Sequence, residues 1–252
     1  MDVTGAFRAI REINNEIRRL NLSAYAPLRY VLPAKQAAYD ERYSTKLRGG
    51  ERYFRQADRE ESLIHLLRVN ILKRMESSVV SFALTLKRQL ADVDGLLAQI
   101  DAHQPAVEEI SIEDVDVDDP AFEALLVGRK VKVLLQDVDL VRWRQDLIED
   151  RNRLDTLLSA AAQILPERDQ KLADLRAVIE AKLHSPTNPG NRKIIVFTAF
   201  ADTAQYLYGE LADWIKATHG IHSALVTGAG RNRTTLPTVS YTHLTLPTNR
   251  EV

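Results

Sequence analysis

The 252-residue chain contains no cysteine, which excludes a disulfide framework and any thiolate metal site and fits a reducing compartment. It has no run of 18 apolar residues and no signal-peptide pattern at its start, so a membrane span is not expected and a cytoplasmic setting is. No Gly-x-x-x-x-Gly-Lys-Ser/Thr loop and no Asp-Glu-x-His box occur in it, which removes the standard cradle for nucleotide phosphates and the acidic strand end that holds Mg²⁺. Six histidines are scattered without ligand spacing, so no metal site is expected. A strong charge of one sign is also missing, the formal net charge being −1. That balance conceals an asymmetry: residues 1–90 carry 17 Lys/Arg against 10 Asp/Glu, and the remainder carries 17 against 25. Such a basic portion suits contact with a polyanion, or simply the solvated faces of helices.

What the chain does have is helical periodicity. Phe7, Ile10, Ile13, Ile17 and Leu20 form one stripe of a helix expected over Gly5–Leu20, with Arg8, Arg11, Arg18 and Arg19 off the stripe. Tyr25–Leu32 reads as extended, and Pro33 opens a second helix that carries Gln36, Tyr39 and Tyr43 and ends near Gly49-Gly50. From Ile64 to Ile100, eleven apolar residues recur at the α-helical period over 36 residues, predicting one helix with a seam roughly 54 Å long. Asp58 is its expected N-cap, and Gly95 marks a kink or an early end. Lys73, Arg74 and Glu76 read first as solvated charges on it, with a bridging role as the alternative. Glu108–Asp119 holds seven carboxylates in twelve residues and no basic residue. It lacks the glycine and terminal glutamate of a calcium loop, so residues 104–120 read as a solvated acidic linker. Asp139 can cap a helix bearing Trp143, Leu147, Leu154, Leu157 and Ala161, and Pro166 starts another with Leu172, Leu175, Ile179 and Leu183. The Pro/Gly-rich residues 185–191 form the clearest linker.

After that linker the pattern changes. Lys193-Ile194-Ile195-Val196-Phe197-Thr198 reads as a buried strand, and Ala204, Leu207, Tyr208, Leu211, Trp214 and Ile215 form a helical stripe closed by Gly220. Ser223–Thr227 reads as a second strand running into Gly228-Ala229-Gly230. Strand, helix, strand predicts a parallel βαβ unit with a right-handed crossover.

The stretch Arg192–Leu207 resembles motif IV, at the start of the second RecA-like lobe of Swi/Snf-type superfamily-two helicases and translocases. Asn70-Ile-Leu-Lys-Arg-Met-Glu-Ser-Ser78 resembles the helix that joins the two lobes in bacterial members. Gln36 and Tyr39 take places on an exit helix of the first lobe, as a looser match. The resemblance implies a mainly α chain, a long-helix bundle followed by a partial α/β lobe. Residues 1–184 would be the inter-lobe helical region, 192–238 a truncated second lobe and 239–252 a non-native tail, which resembles translated sequencing-adapter read-through. It also implies a parent protein that uses ATP and Mg²⁺, whereas this portion would bind neither and would not hydrolyse ATP. The implied partners are duplex DNA, bound without sequence preference, and the missing first helicase lobe.

Within the resemblance, the nucleic-acid contacts fall on Thr198, Phe200, Thr203 and Gly228. Phe200 can equally be core, Asp202 reads best as an N-cap, and Gly228 either lets a backbone approach or needs positive φ. Arg231 and Arg233 are further phosphate candidates. A second reading, of another class, is a helical scaffold or coiled-coil interaction protein that uses the 36-residue seam.

Overall fold

The computed structural model describes residues 10–43, 45–46, 53–54, 56–108, 131–228 and 232–237. Among them the protein is mainly α, with seven helices: α1 (Ile10–Arg19), α2 (Pro33–Tyr43), α3 (Gln56–Ser77), α4 (Val79–Asp101), α5 (Leu140–Ala162), α6 (Gln170–His184) and α7 (Ala201–His219). The strands are only two or three residues long: β1 (Thr45–Lys46), β2 (Tyr53–Phe54), β3 (Ala106–Glu108), β4 (Lys132–Leu134), β5 (Ala224–Leu225) and β6 (Arg233–Thr234). They pair antiparallel as β1–β2, β3–β4 and β5–β6. No helix among the described residues is long and apolar enough to cross a membrane.

Two compact units result. One comprises Phe7–Glu76 and Phe82–Gln163; the other combines Ser77–Ser81 with Ile164–Val252. The division thus falls before α6 and not at the Pro/Gly-rich 185–191. The reason is packing: Leu172, Ile179 and Leu183 of α6 share a buried cluster with Leu211 of α7, and Leu175, Leu207, Trp214 and Ile215 close around it. Burying these stripes against each other joins the helices on either side of the Pro/Gly segment.

In the α1–α5 unit, Ile13, Ile17 and Leu20 are fully buried, while Arg18 and Arg19 stay exposed. Of Tyr25–Leu32, expected to be extended, Val31 is, and it bridges Val138 antiparallel, but residues up to Tyr30 are not. Residues 23–30 form two 3₁₀ turns, Ser23–Tyr25 and Pro27–Tyr30, and all but Arg29 are buried. Buried turns leave backbone N–H groups without water, so acceptors must come from elsewhere. Two buried carboxylates supply them. Asp150 accepts from Asn21 N at 2.6 Å, Ser23 N at 2.8 Å and Ser23 Oγ at 2.7 Å. Glu60 accepts from Leu28 N at 3.1 and 3.2 Å. The turn tyrosines bond outward in the same way, Tyr25 to Asp92 at 2.6 Å and Tyr30 to Asp146 at 2.7 Å.

The 36-residue seam does not run through one helix. It breaks at Ser78, which lies between α3 and α4. Gly95 stays inside α4, and Asp58 sits in the first turn of α3 instead of capping it. Arg74 is buried and donates to Asn70 Oδ1 at 3.1 Å, so of the three charges expected in solvent only Lys73 and Glu76 are there. Pro33 does open α2, whose Tyr39 and Tyr43 are buried one turn apart while Gln36 is exposed. Tyr39 Oη bonds to Asp137 and Leu134 N, both at 3.1 Å, and Tyr43 Oη bonds the backbone of Lys132 at 3.0 Å. These contacts fix β4, which pairs with β3 in the register Val107↔Val133. The start of the expected acidic linker is therefore strand; its residues 109–120 lie outside the described residues. Asp139 caps α5 as expected, accepting from Arg142 N at 3.0 Å.

Candidate nucleic-acid interface

α7 begins at Ala201 with Phe200 as its N-cap and no side-chain capping bond, so Asp202 lies in the first turn and is not the cap. The helix ends as its sequence predicts: Gly220, at φ 64°, donates to Lys216 O at 3.0 Å from the left-handed region that only glycine enters cheaply. Asp169 caps α6, accepting from Lys171 N at 3.0 Å, and also accepts from Tyr206 Oη of α7 at 3.0 Å. Burial beside that carboxylate pushes the Tyr206 hydroxyl well above the ordinary tyrosine range.

The expected parallel βαβ pairing is not formed among the described residues. Lys193–Thr198 joins no ladder, and β5, the core of the expected second strand, pairs antiparallel with β6 at Ala224↔Thr234 and Leu225↔Arg233. A strand is buried only when neighbours cover its edges and faces, and no described residue pairs with this one. Its apolar residues are exposed instead.

At the end of this segment four hydroxyls converge. Thr203 Oγ1 lies 2.8 Å from Ser77 Oγ and 3.2 Å from Ser78 Oγ, and Thr198 Oγ1 lies 3.5 Å from Ser77 Oγ. Ser78 Oγ also accepts from Ser81 N at 3.0 Å, the usual geometry of a serine N-cap, so the same side chain starts α4 and joins the cluster. Thr198 Oγ1 accepts from Phe200 N at 3.4 Å. Thr203, Phe200 and Ser78 are buried.

The four residues expected to meet nucleic acid are thus placed differently from one another. Thr203 and Phe200 are buried parts of a joint, and their side chains do not present a surface to a phosphate. Thr198 is half-buried at the rim of the cluster and keeps partial access. Gly228 is exposed and its φ is outside the left-handed region, so the positive-φ role is not required, and a Cβ there would meet no protein atom. Arg233 is exposed with its guanidinium 4.9 Å from the centre of the Tyr208 ring. Arg231 lies outside the described residues, as do 239–252. The sequence reading missed Ser77 and Ser78 as partners of this turn. Two adjacent serines inside an apolar helical run were the available signal, because serine hydroxyls compete for backbone groups and favour helix starts.

Among the described residues no group of three or more His, Cys, Asp or Glu could hold a metal ion. The sequence likewise contains no Gly-x-x-x-x-Gly-Lys-Ser/Thr loop. Comparison with protein-family models, curated proteins and solved structures finds no match.

The cluster carries a direct prediction. Ser78→Ala is expected to cost about 1 kcal/mol through the lost cap, and Thr203→Val a similar amount. Because the two side chains touch, the double variant should cost less than the sum by about 0.5–1 kcal/mol. Urea unfolding of the four proteins measures this, and strict additivity would mean that the hydroxyls do not cooperate.

Proposed function

We propose that this chain is part of an ATP-driven DNA translocase of the Swi/Snf-type superfamily, contributing the helices between two RecA-like lobes and the entry to the second lobe. The supporting observation is the meeting of the two stretches that carry the resemblance. Ser77-Ser78, at the end of the inter-lobe helix motif, bonds to Thr198 and Thr203 of motif IV across 121 to 126 positions of sequence. Chance resemblances in two unrelated stretches give no reason for them to share one hydrogen-bonded joint. ATP, Mg²⁺ and the first lobe belong, in this reading, to parts of the parent protein that these residues do not supply. The cysteine-free composition goes with a cytoplasmic setting.

The packing of the long seam favours this reading over a helical scaffold. That seam is interrupted at Ser78, and Ile64, Leu67, Ile71, Phe82, Leu86 and Val93 are already buried, so these helices offer no continuous apolar stripe to a coiled-coil partner. Two buried arginines, Arg59 and Arg74, also leave the basic surface smaller than the charge count of residues 1–90 implies.

The test is an anisotropy titration of a labelled duplex at two salt concentrations, with ATP turnover measured in parallel. Expected are weak binding, on the order of 10⁻⁴–10⁻⁶ M, that falls steeply with salt and ignores sequence, and no turnover above background with or without DNA. Absence of salt-sensitive binding would overturn the translocase reading. Turnover abolished by a point substitution in this chain would overturn the assignment of nucleotide chemistry to other parts of the parent.

A further inference from the structure

α6 and α7 run in the same direction, as the contacts along them show. Asp169, the cap of α6, meets Tyr206 in the second turn of α7. Two turns on, Arg176 donates to Glu210 O at 3.1 Å and its guanidinium lies 5.5 Å from the centre of the Trp214 ring. His184, the last residue of α6, then lies against His219, the last residue of α7. Parallel helices bring like ends together, so two negative dipole ends sit side by side with an imidazole at each. Lys182 and Lys216 occupy the same last turns and answer part of that charge, but a protonated lysine has no lone pair for a metal.

The two rings are 6.4 Å apart, centre to centre, with planes at 88°. His184 Nδ1 lies 2.8 Å from Glu180 O and must donate to it, since a carbonyl only accepts. That bond fixes the tautomer and puts the lone pair of His184 on Nε2; it is also the outer hydrogen bond that metal-bound histidines make. His219 Nε2 is buried and has no hydrogen-bond partner among the described residues. Buried polar atoms are rarely left so, and a bound ion is one of the standard reasons. Metal–nitrogen bonds of about 2.0–2.1 Å hold the centres of two coordinated imidazoles roughly 5–6.5 Å apart, a range that includes this pair. The histidines come from different helices, so their spacing along the chain does not reveal them.

We propose that His184 and His219 bind one divalent transition-metal ion of the zinc type through their Nε2 atoms, between the C-termini of α6 and α7. Imidazole selects zinc and its neighbours over Mg²⁺ and Ca²⁺, which prefer oxygen. No third histidine, cysteine or carboxylate joins the pair among the described residues, so water completes the coordination and the ion exchanges freely. His184 is exposed, and turning its ring admits the ion to the buried nitrogen. Once bound, the ion ties the far ends of two helices whose near ends Asp169 and Tyr206 already join.

Calorimetric titration of the full chain with ZnCl₂ should show one ion bound per chain, and MgCl₂ should show none. Loss of an outer hydrogen bond alone weakens a metal site by about 10–100-fold, so His184→Gln and His219→Gln should each weaken binding at least tenfold. His222→Gln is the control: His222 is exposed three residues further on, and its Nδ1 lies 3.0 Å from Thr235 O. The second readout is stability. Of the two tryptophans, Trp143→Phe leaves only Trp214, whose ring centre is 5.6 Å from that of His219. In that background Zn²⁺ at a hundred times its dissociation constant should raise the folded-to-unfolded ratio about a hundredfold, read by Trp214 fluorescence in urea. Adding His184→Gln should abolish the gain, and because that side chain is exposed and bonds only within its own helix, the variant should fold, which circular dichroism checks. Wild type that binds no Zn²⁺ would overturn the proposal and leave His219 Nε2–H to the indole face. Binding that survives both single substitutions, or falls equally with His222→Gln, would overturn it as well.

Discussion

Replacing Asp150 by alanine is expected to lower the stability of the α1–α5 unit by about 3–5 kcal/mol. The side chain is fully buried on the core stripe of α5 that includes Trp143, Leu147, Leu154 and Leu157. A carboxylate there is costly, and it is tolerated because three donors from residues 21 and 23 converge on it. Alanine leaves those donors buried and unbonded, which costs more than the three bonds themselves contribute. Asparagine keeps one acceptor oxygen and should cost about 2 kcal/mol. Urea unfolding followed by far-ultraviolet circular dichroism measures both, and an unchanged midpoint for the alanine variant would show that the 3₁₀ turns do not depend on this carboxylate.

Asp150 also fixes a pH dependence. Desolvation raises its pKa, and the hydrogen bonds from Ser23 and Asn21 pull the other way without cancelling that effect. A raised native pKa means that, just above the ordinary aspartate value of 3.8, the native state holds a proton that the unfolded chain has released. Stability owed to this group therefore falls as pH rises through that window, and is level once the native carboxyl has ionised. The difference in stability between wild type and Asp150→Asn should shift across the same window, and a difference that is flat with pH would contradict the desolvation argument.

The helices were legible where apolar spacing alone decides structure. The stripes of α5, α6 and α7, the Asp139 cap and the Gly220 stop are local signals, and each occurs where its residues place it. The apolar period hid the break at Ser78, because Met75, Val79 and Phe82 keep the helical spacing straight across it; the local signal was the serine pair itself, since Ser78 caps α4 by accepting from Ser81 N and also meets Thr203, 125 residues away. The turns within 25–30 were read as extended because nothing local marks them. Their sequence lacks regular spacing, and the acceptors that let them be buried, Glu60 and Asp150, come from distant helices. Lys193–Thr198 shows the converse. Its composition specifies a strand, but a strand needs neighbours, and among the described residues it has none. For the candidate site, the sequence reading carried nucleic-acid roles to Thr203 and Phe200, with core packing held equally open for Phe200; both are buried, Thr203 against a serine pair in a different part of the chain.

Trp143→Ala should have an effect as large as loss of Asp150, again about 3–5 kcal/mol, from lost burial and the cavity left behind. The indole is fully buried and stacks on Tyr30 with ring centres 5.5 Å apart and planes inclined by 13°. Its Nε1 donates to Ser23 O at 3.0 Å. Trp143→Phe keeps most of the packing and loses that bond, so it should cost about 1–2 kcal/mol. The two anchors grip one residue from opposite sides, since Asp150 takes the Ser23 N–H and hydroxyl while Trp143 takes the carbonyl. Once either is removed, the turn loosens and the other holds less. Asp150→Ala combined with Trp143→Phe should therefore destabilise by less than the sum of the single changes, with a shortfall of about 1 kcal/mol. Equilibrium unfolding of the four proteins completes the cycle. A shortfall near zero would mean that α5 holds residues 21–30 through two independent contacts instead of through Ser23 as a shared pivot.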